Sequence, residues 1–296
     1  MARAATAAGT EPAGVCPMGG SGAESAPQAP RSSYAGAPPY ADYVGLDRLL
    51  SLQTPRTDEP TEVSFLVASQ VMELLFALLK HEWSTARGLL EADEVAEATR
   101  VLRRSVRQAD VLVASWDLLA TLTPAEFAAF REALGEASGF QSHLYRELEF
   151  LLGLKRPAAL LPYEGVPDVH AELDAVLHAP SLYDAALDVL RRRGLPLPPA
   201  DPAARLRPHE SDPDAERAWA EVYATGTAYP DLRDLGEALT DISERWTRWR
   251  ERHLAATLRA LGNRPGTGGS SGAEWLERTV RLRVFPDLWT MRTSVV

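Results

Sequence analysis

Apolar residues recur at three- and four-residue steps through most of the chain from Tyr40 onward, and no alternating run is long enough for a convincing strand. A short helix is expected over 42–53, carrying Leu46, Leu49 and Leu50, with Pro55 and Pro60 as breakers behind it. A long helix from about Glu62 to Leu90 carries two apolar stripes. Val67, Val71, Leu74 and Leu78 form one; Phe65, Ser69, Met72 and Phe76 form the other. Two stripes predict burial on most sides of the helix and put Ser69 inside the protein. Further helices are expected at about 94–119, 124–134, 141–152, 213–225 and 230–261. Thr123-Pro124-Ala125-Glu126 supplies the start signal of one of them: threonine at the cap, proline in the first position, glutamate in the third. The proline-rich stretch 155–215 keeps its apolar residues, so its helical pieces at 168–177 and 181–192 are read as packing on the main bundle rather than as an interdomain linker. Residues 1–36, rich in Ala, Gly, Pro and Ser, hold too little apolar surface to offset their ordering entropy and read as a disordered tail. The expectation is an all-α chain: a tail over 1–36 and one helical domain over 37–296.

Charge narrows the partners. The formal net charge of -10 argues against nucleic acid, and the basic runs Arg103, Arg104, Arg107 and Arg191 to Arg193 read as solvated helix faces. The single cysteine, Cys16, permits no intrachain disulfide, and its place in the tail makes it a poor metal ligand. No stretch is read as approaching the roughly 20 apolar residues of a membrane span, and the N-terminus lacks an apolar signal core. The chain reads as soluble and cytoplasmic, with no membrane partner.

Candidate chemistry concentrates near the C-terminus. Ile242, Trp246, Trp249, His253 and Ala256 share one helix face, while Arg245, Arg248, Arg252 and Arg259 form a separate basic stripe. His253 therefore points inward with two tryptophans, either as a core histidine with a hydrogen-bond partner or as a metal ligand. The segment Gly266-Thr267-Gly268-Gly269-Ser270-Ser271-Gly272 lacks the lysine of a phosphate-binding loop. It is not a dinucleotide fingerprint, because Ser271 takes the last glycine's place. It matches G-x-S-x-G only formally: a helix precedes it and no histidine follows. It is either a flexible connector or a loop that closes over a small polar ligand. His81-Glu82 lacks a second histidine, and His143, His170, His178 and His209 show no ligand spacing, so all read as structural or exposed.

Four segments in order resemble the tryptophan 2,3-dioxygenase family. Tyr40-Ala41-Asp42-Tyr43 with Leu46-Asp47 is similar to its Y-x-D-Y-x-x-L-D, and Ser138-Gly139-Phe140-Gln141-Ser142 to its S-G-F-Q-S. Trp249-Arg250-Glu251-Arg252-His253 is similar to its W-R-x-R-H, and Gly266 to Gly272 to its G-T-G-G-S-S-G. The likeness implies an all-α bundle enclosing a b-type haem (iron protoporphyrin IX), with His253 as proximal iron ligand, O2 as co-substrate and tryptophan as substrate. It implies that Trp116, Ser138 and Gly139 line the haem. Phe65 would form part of the indole pocket wall, Phe127 and Leu134 would also line the substrate site, Arg131 would pair with the substrate carboxylate, and Thr267 would hold the amino-acid end. Tyr40 and Tyr43 would reach a neighbour's active site in a homotetramer.

Two departures stand out. The family's H-Q-x-x-E-L, whose histidine sits over the distal haem face, reads Ser69-Gln70-Val71-Met72-Glu73-Leu74 here. The tyrosine four residues before the carboxylate-binding arginine is Phe127. A shorter donor at 69 and a missing donor at 127 point to a monooxygenase of tryptophan or a substituted (for example β-methyl) tryptophan. Such an enzyme would insert one oxygen atom to give a hydroxylated or 2-oxindole product in specialised metabolism. The alternatives are a true dioxygenase giving N-formylkynurenine and a non-catalytic haem-binding sensor.

Overall fold

The computed structural model describes residues 33–224, 228–267 and 271–294. Most of the expected tail, Cys16 included, lies outside them, as do residues 268–270 of the Gly-rich loop. The chain divides into two compact units, one ending at Leu52 and one running from Gln53. Among the described residues there are helices and turns and no strand.

The N-terminal unit holds α1 (Pro39–Val44) and α2 (Leu46–Leu50). The single helix expected over 42–53 is therefore two. Gly45 adopts a left-handed φ of 61°, which ends α1 and starts α2. Neither helix contains a buried residue.

The second unit contains α3 (Pro60–Glu91), α4 (Val95–Ala114), α5 (Pro124–Arg131), α6 (His143–Leu151), α7 (Pro167–His178), α8 (Leu182–Arg192), α9 (Pro213–Ala224), α10 (Pro230–Leu261), α11 (Ala273–Val280) and α12 (Asp287–Thr290). Its centre is α4 packed between α3 and α10. Leu102, Val106, Ala109 and Leu112 recur at helical spacing on α4 and are buried against Leu79 and Trp83 of α3 and Leu239, Ile242 and Trp246 of α10. Polar contacts fix the register: Trp83 Nε1 donates to Ser105 Oγ at 2.9 Å, and Arg245 Nε to an Asp110 carboxylate oxygen at 3.1 Å. The small helices of the proline-rich stretch pack on this bundle as expected, α8 against α3 and α7 against α6. The basic runs lie on exposed helix faces in ion pairs, such as Arg103–Asp234 at 3.2 Å and Arg193–Asp231 at 3.1 Å.

Three further expectations need correction. Only one stripe of α3 is core: Met72 and Phe76 are buried with Ala68 and Leu79, whereas Leu74 is 59% and Leu78 39% exposed because no described element of this chain covers that face. Helix α3 is also long and apolar enough to cross a membrane by length and composition alone, contrary to the reading that no stretch comes near. It packs on α4, α6 and α8, and Glu82 and Lys80 on it are ion-paired to Arg104 and Glu147. Finally, α11 and α12 follow the Gly-rich loop, where no element was expected. Both are short, and only Ala273, Leu276 and Thr279 of α11 turn inward.

Candidate functional site

A cavity of about 530 Å³ opens between α3, α5, α10 and α11, floored by the 3-10 turn Ser115–Leu118 and walled by the segment around Ser138–Gln141. That volume lies within the roughly 300–1,000 Å³ of small-molecule and cofactor sites. Its lining is mainly apolar, with a few polar groups converging on it.

His253 reaches it from α10, where helical spacing carries the Trp246 and Trp249 face along to residue 253. Its ring stacks on Trp116, centroids 4.5 Å apart and planes 17° from parallel, and lies 5.5 Å from the Trp249 ring. Burial pushes the imidazole down to about 4, so it is neutral near pH 7 and keeps a nitrogen lone pair. It is half-buried by accessible surface, although it lies deep in the chain, because it lines the cavity. The indole N–H groups of Trp116 and Trp249, both at the cavity, are buried without an acceptor.

The opposite wall is aromatic. Phe65 of α3 packs against Phe127 at 5.8 Å and Phe130 at 5.4 Å, and Leu134 joins the same cluster. Phe65, Phe127 and Leu134 line the cavity. Ser69 lines it one turn beyond Phe65, and its Oγ donates to the Phe65 carbonyl at 2.9 Å. That hydroxyl proton is spent within its own helix.

The rim is made by two loops. Ser138 and Gly139 line the cavity, and Ser138 Oγ accepts from Phe140 N at 3.3 Å, which holds that turn. Gly266, Thr267 and Gly272 line it from the other side. Thr267 Oγ1 donates to the Ala137 carbonyl at 2.7 Å, tying the Gly-rich loop to the Ser138 segment. Gly272 has φ +63°, and a Cβ there would stand 2.6 Å from the Arg264 carbonyl oxygen, so this closure requires glycine. Arg131 is not among the cavity's lining residues. Its Nη2 donates to the Pro265 carbonyl at 2.6 Å, at the root of the Gly-rich loop, and its Nε is buried without a partner. Tyr40 and Tyr43 belong to the N-terminal unit and are 70% and 90% exposed.

The charged cavity-lining groups given no role from sequence are Arg56, Glu62, Glu73, Arg146 and Arg250. Glu73 sits one turn after Ser69; burial raises its carboxyl above the ordinary value, partly offset by Ser142 Oγ, which donates to it at 3.1 Å. Arg250 is 1% exposed and donates to Tyr145 Oη at 3.1 Å and to Glu149 at 2.8 Å. Burial pushes the Tyr145 phenol up to about 12, so it stays protonated. The signal for Arg250 was its place within W-R-x-R-H, one residue after Trp249. Polar residues on an apolar helix face are otherwise hard to single out.

The residues present fit the macrocycle that the resemblance implies. A neutral imidazole without a hydrogen-bond partner among the described residues faces the cavity, two orphaned indole N–H groups stand beside it, and the walls are aromatic. A buried neutral histidine with no protein partner is the form in which imidazole binds iron.

Comparison with known proteins agrees with this geometry. The family model described as tryptophan 2,3-dioxygenase matches residues 24–219 and 205–295. A tryptophan 2,3-dioxygenase of Pseudomonas fluorescens is 43% identical over 260 residues, covering 86% of this chain and 90% of the relative. One of Bacillus anthracis is 43% identical over 258 residues, covering 86% and 92%. One of Burkholderia pseudomallei (strain 1106a) is 37% identical over 302 residues, covering 97% and 99%.

Proposed function

Because the chain belongs to the tryptophan 2,3-dioxygenase family, we propose that it is a haem-dependent oxygenase that opens the indole ring of L-tryptophan with O2 and yields N-formylkynurenine. The observation that carries this reading is His253, a neutral imidazole with no protein hydrogen-bond partner among the described residues, turned into a flat-walled aromatic cavity. Haem bound there would supply the iron for oxygen chemistry.

The chain's own residues do the rest. His253 would ligate the iron, with Trp116 stacked on it to fix the ring plane, and Trp116, Ser138 and Gly139 would line the macrocycle. Phe65, Phe127 and Leu134 hold the indole by apolar contact. Arg131 and Thr267, with the backbone of the Gly-rich loop, hold the substrate's carboxylate and amine. The full assembly is a homotetramer in which Tyr40 and Tyr43 complete a neighbour's site, with residues 1–36 as a tail and 37–296 as the catalytic domain.

A second reading has specific support. Ser69 Oγ is spent on the Phe65 carbonyl, and Phe127 has no hydroxyl, so neither position offers a donor to the guest. That favours insertion of a single oxygen atom of O2 into tryptophan or a β-substituted tryptophan, giving a hydroxylated or 2-oxindole product, with an external two-electron reductant taking the second oxygen atom to water. Mass spectrometry of the product formed from L-tryptophan and β-methyltryptophan under labelled O2 separates the two. Two labelled oxygen atoms and a cleaved ring are expected. One labelled atom in an intact bicycle would instead establish the second reading, and no product from any indole amino acid would leave a haem-binding sensor.

A further inference from the structure

Outside the aromatic cavity, His143, Glu147 and Glu172 each bring one donor atom to within 4.8 Å of the others. His143 and Glu147 are one turn apart on α6, so both face the same way, and Glu172 comes from α7, which packs on α6. The sequence offered no ligand spacing for His143, because the third member lies on a different helix.

Glu147 is the telling member. It is 1% exposed, and neither carboxylate oxygen receives a hydrogen bond of proper geometry. Among the described residues its ion-pair partner is Lys80, whose Nζ lies 2.5 Å from Oε2 and whose side chain is 37% exposed. A carboxylate taken out of water thus leans on one half-solvated amine. One partly exposed ammonium compensates such a buried charge only in part, and a divalent cation would compensate it more fully. Glu147 also borders a second cavity of about 270 Å³, between α3, α6 and α7, so there is room beside it.

We infer that His143, Glu147 and Glu172 form a binding site for a first-row divalent cation of the zinc class. One imidazole nitrogen with two carboxylate oxygens suits such an ion, and three protein ligands leave a position for water. Bonds of roughly 2.0–2.2 Å put tetrahedral ligand atoms about 3.4 Å apart. Rotation of the exposed Glu172 and half-buried His143 side chains closes the difference without moving the backbone. Lys80, on a flexible stem, swings out to solvent as the ion enters. The ion then staples α6 to α7. The segment Ser138–Gln141 that walls the aromatic cavity runs directly into α6, so the staple also steadies that wall.

The test uses the haem-loaded full chain, stripped with chelator and dialysed against zinc, with bound metal read by mass spectrometry. One zinc per chain is expected, with a rise in thermal midpoint. His143→Asn and Glu172→Gln keep the helical circular dichroism and the haem spectrum. They should weaken zinc binding by more than about tenfold, the scale that even outer-shell partners of a metal produce. They should also abolish the thermal shift. Both positions are accessible enough for the variants to fold, which Glu147→Gln, beside Lys80 in the interior, does not guarantee. Absence of zinc binding, or binding and thermal shift unaltered in both variants, would overturn the inference.

Discussion

Trp116 and His253 lie face to face, their ring centroids 4.5 Å apart and their planes 17° from parallel. The two residues come from different elements, the turn after α4 and the C-terminal half of α10. The stack therefore depends on the α4–α10 packing that forms the bundle's centre. It fixes the imidazole plane, and His253 makes no hydrogen bond among the described residues that would turn it elsewhere. Core packing sets the orientation of the group on which the chemistry rests.

Ser69 is the first place to probe. Its hydroxyl donates to the Phe65 carbonyl at 2.9 Å, inside α3, and is not offered to a guest. Ser69→Ala should change kcat/KM for tryptophan by less than about threefold, equivalent to about 0.7 kcal/mol. Steady-state kinetics check this. A loss of tenfold or more would mean that the hydroxyl leaves its helix partner and works on the substrate.

Arg131 acts at the root of the Gly-rich loop, through its 2.6 Å bond to the Pro265 carbonyl. Arg131→Met removes that tie and the charge together. Loss of a hydrogen bond to a charged group costs roughly 1.5–3 kcal/mol, so kcat/KM should fall by about ten- to a hundredfold, chiefly through KM. An unchanged KM would remove Arg131 from substrate binding.

Arg250 is a buried cation held by Glu149 and the Tyr145 hydroxyl. Arg250→Met leaves Glu149 short of one of its two arginine partners, the other being Arg146 at 2.6 Å. Breaking a buried pair costs about 3–5 kcal/mol, so the thermal midpoint should drop by roughly 10 °C. Calorimetry would contradict this if the midpoint stayed within a degree or two.

Glu82 gives a pH signature. Hydrogen bonds from Arg104 at 2.9 and 2.5 Å hold its carboxyl below the ordinary 4.5, outweighing burial. A depressed folded-state value means the pair stabilises fully above about pH 4.5 and loses that contribution as pH falls through the lower folded value. Arg104 is half-exposed, so solvent screens the pair and its contribution is small. Urea unfolding of the native chain and Glu82→Gln should differ near pH 7 and converge in acid. A gap that widens in acid would rule out this pairing as the cause.

The sequence revealed the parts of the site that periodicity and motif order carry. Trp246, Trp249 and His253 share a face because helical spacing requires it, and the cap at Thr123 sets the start of α5, where the structure has Glu126 N bonded to Thr123 Oγ1 at 3.3 Å. What could not be read depends on the third dimension. The exposure of Leu74 and Leu78 is decided by whether another element covers α3, not by their spacing. The contact of Arg131 with Pro265 spans 134 residues of sequence. The split between α1 and α2 turned on one glycine taking a left-handed φ, which composition permits without requiring.

Haem titration of the purified chain beside His253→Ala, followed by the Soret band and by iron content, bears on the iron ligand itself. One haem per native chain with a histidine-ligated ferrous spectrum is expected, and a variant that has lost that spectrum and its tryptophan turnover. A variant that retains both at native levels would show that His253 does not hold the iron.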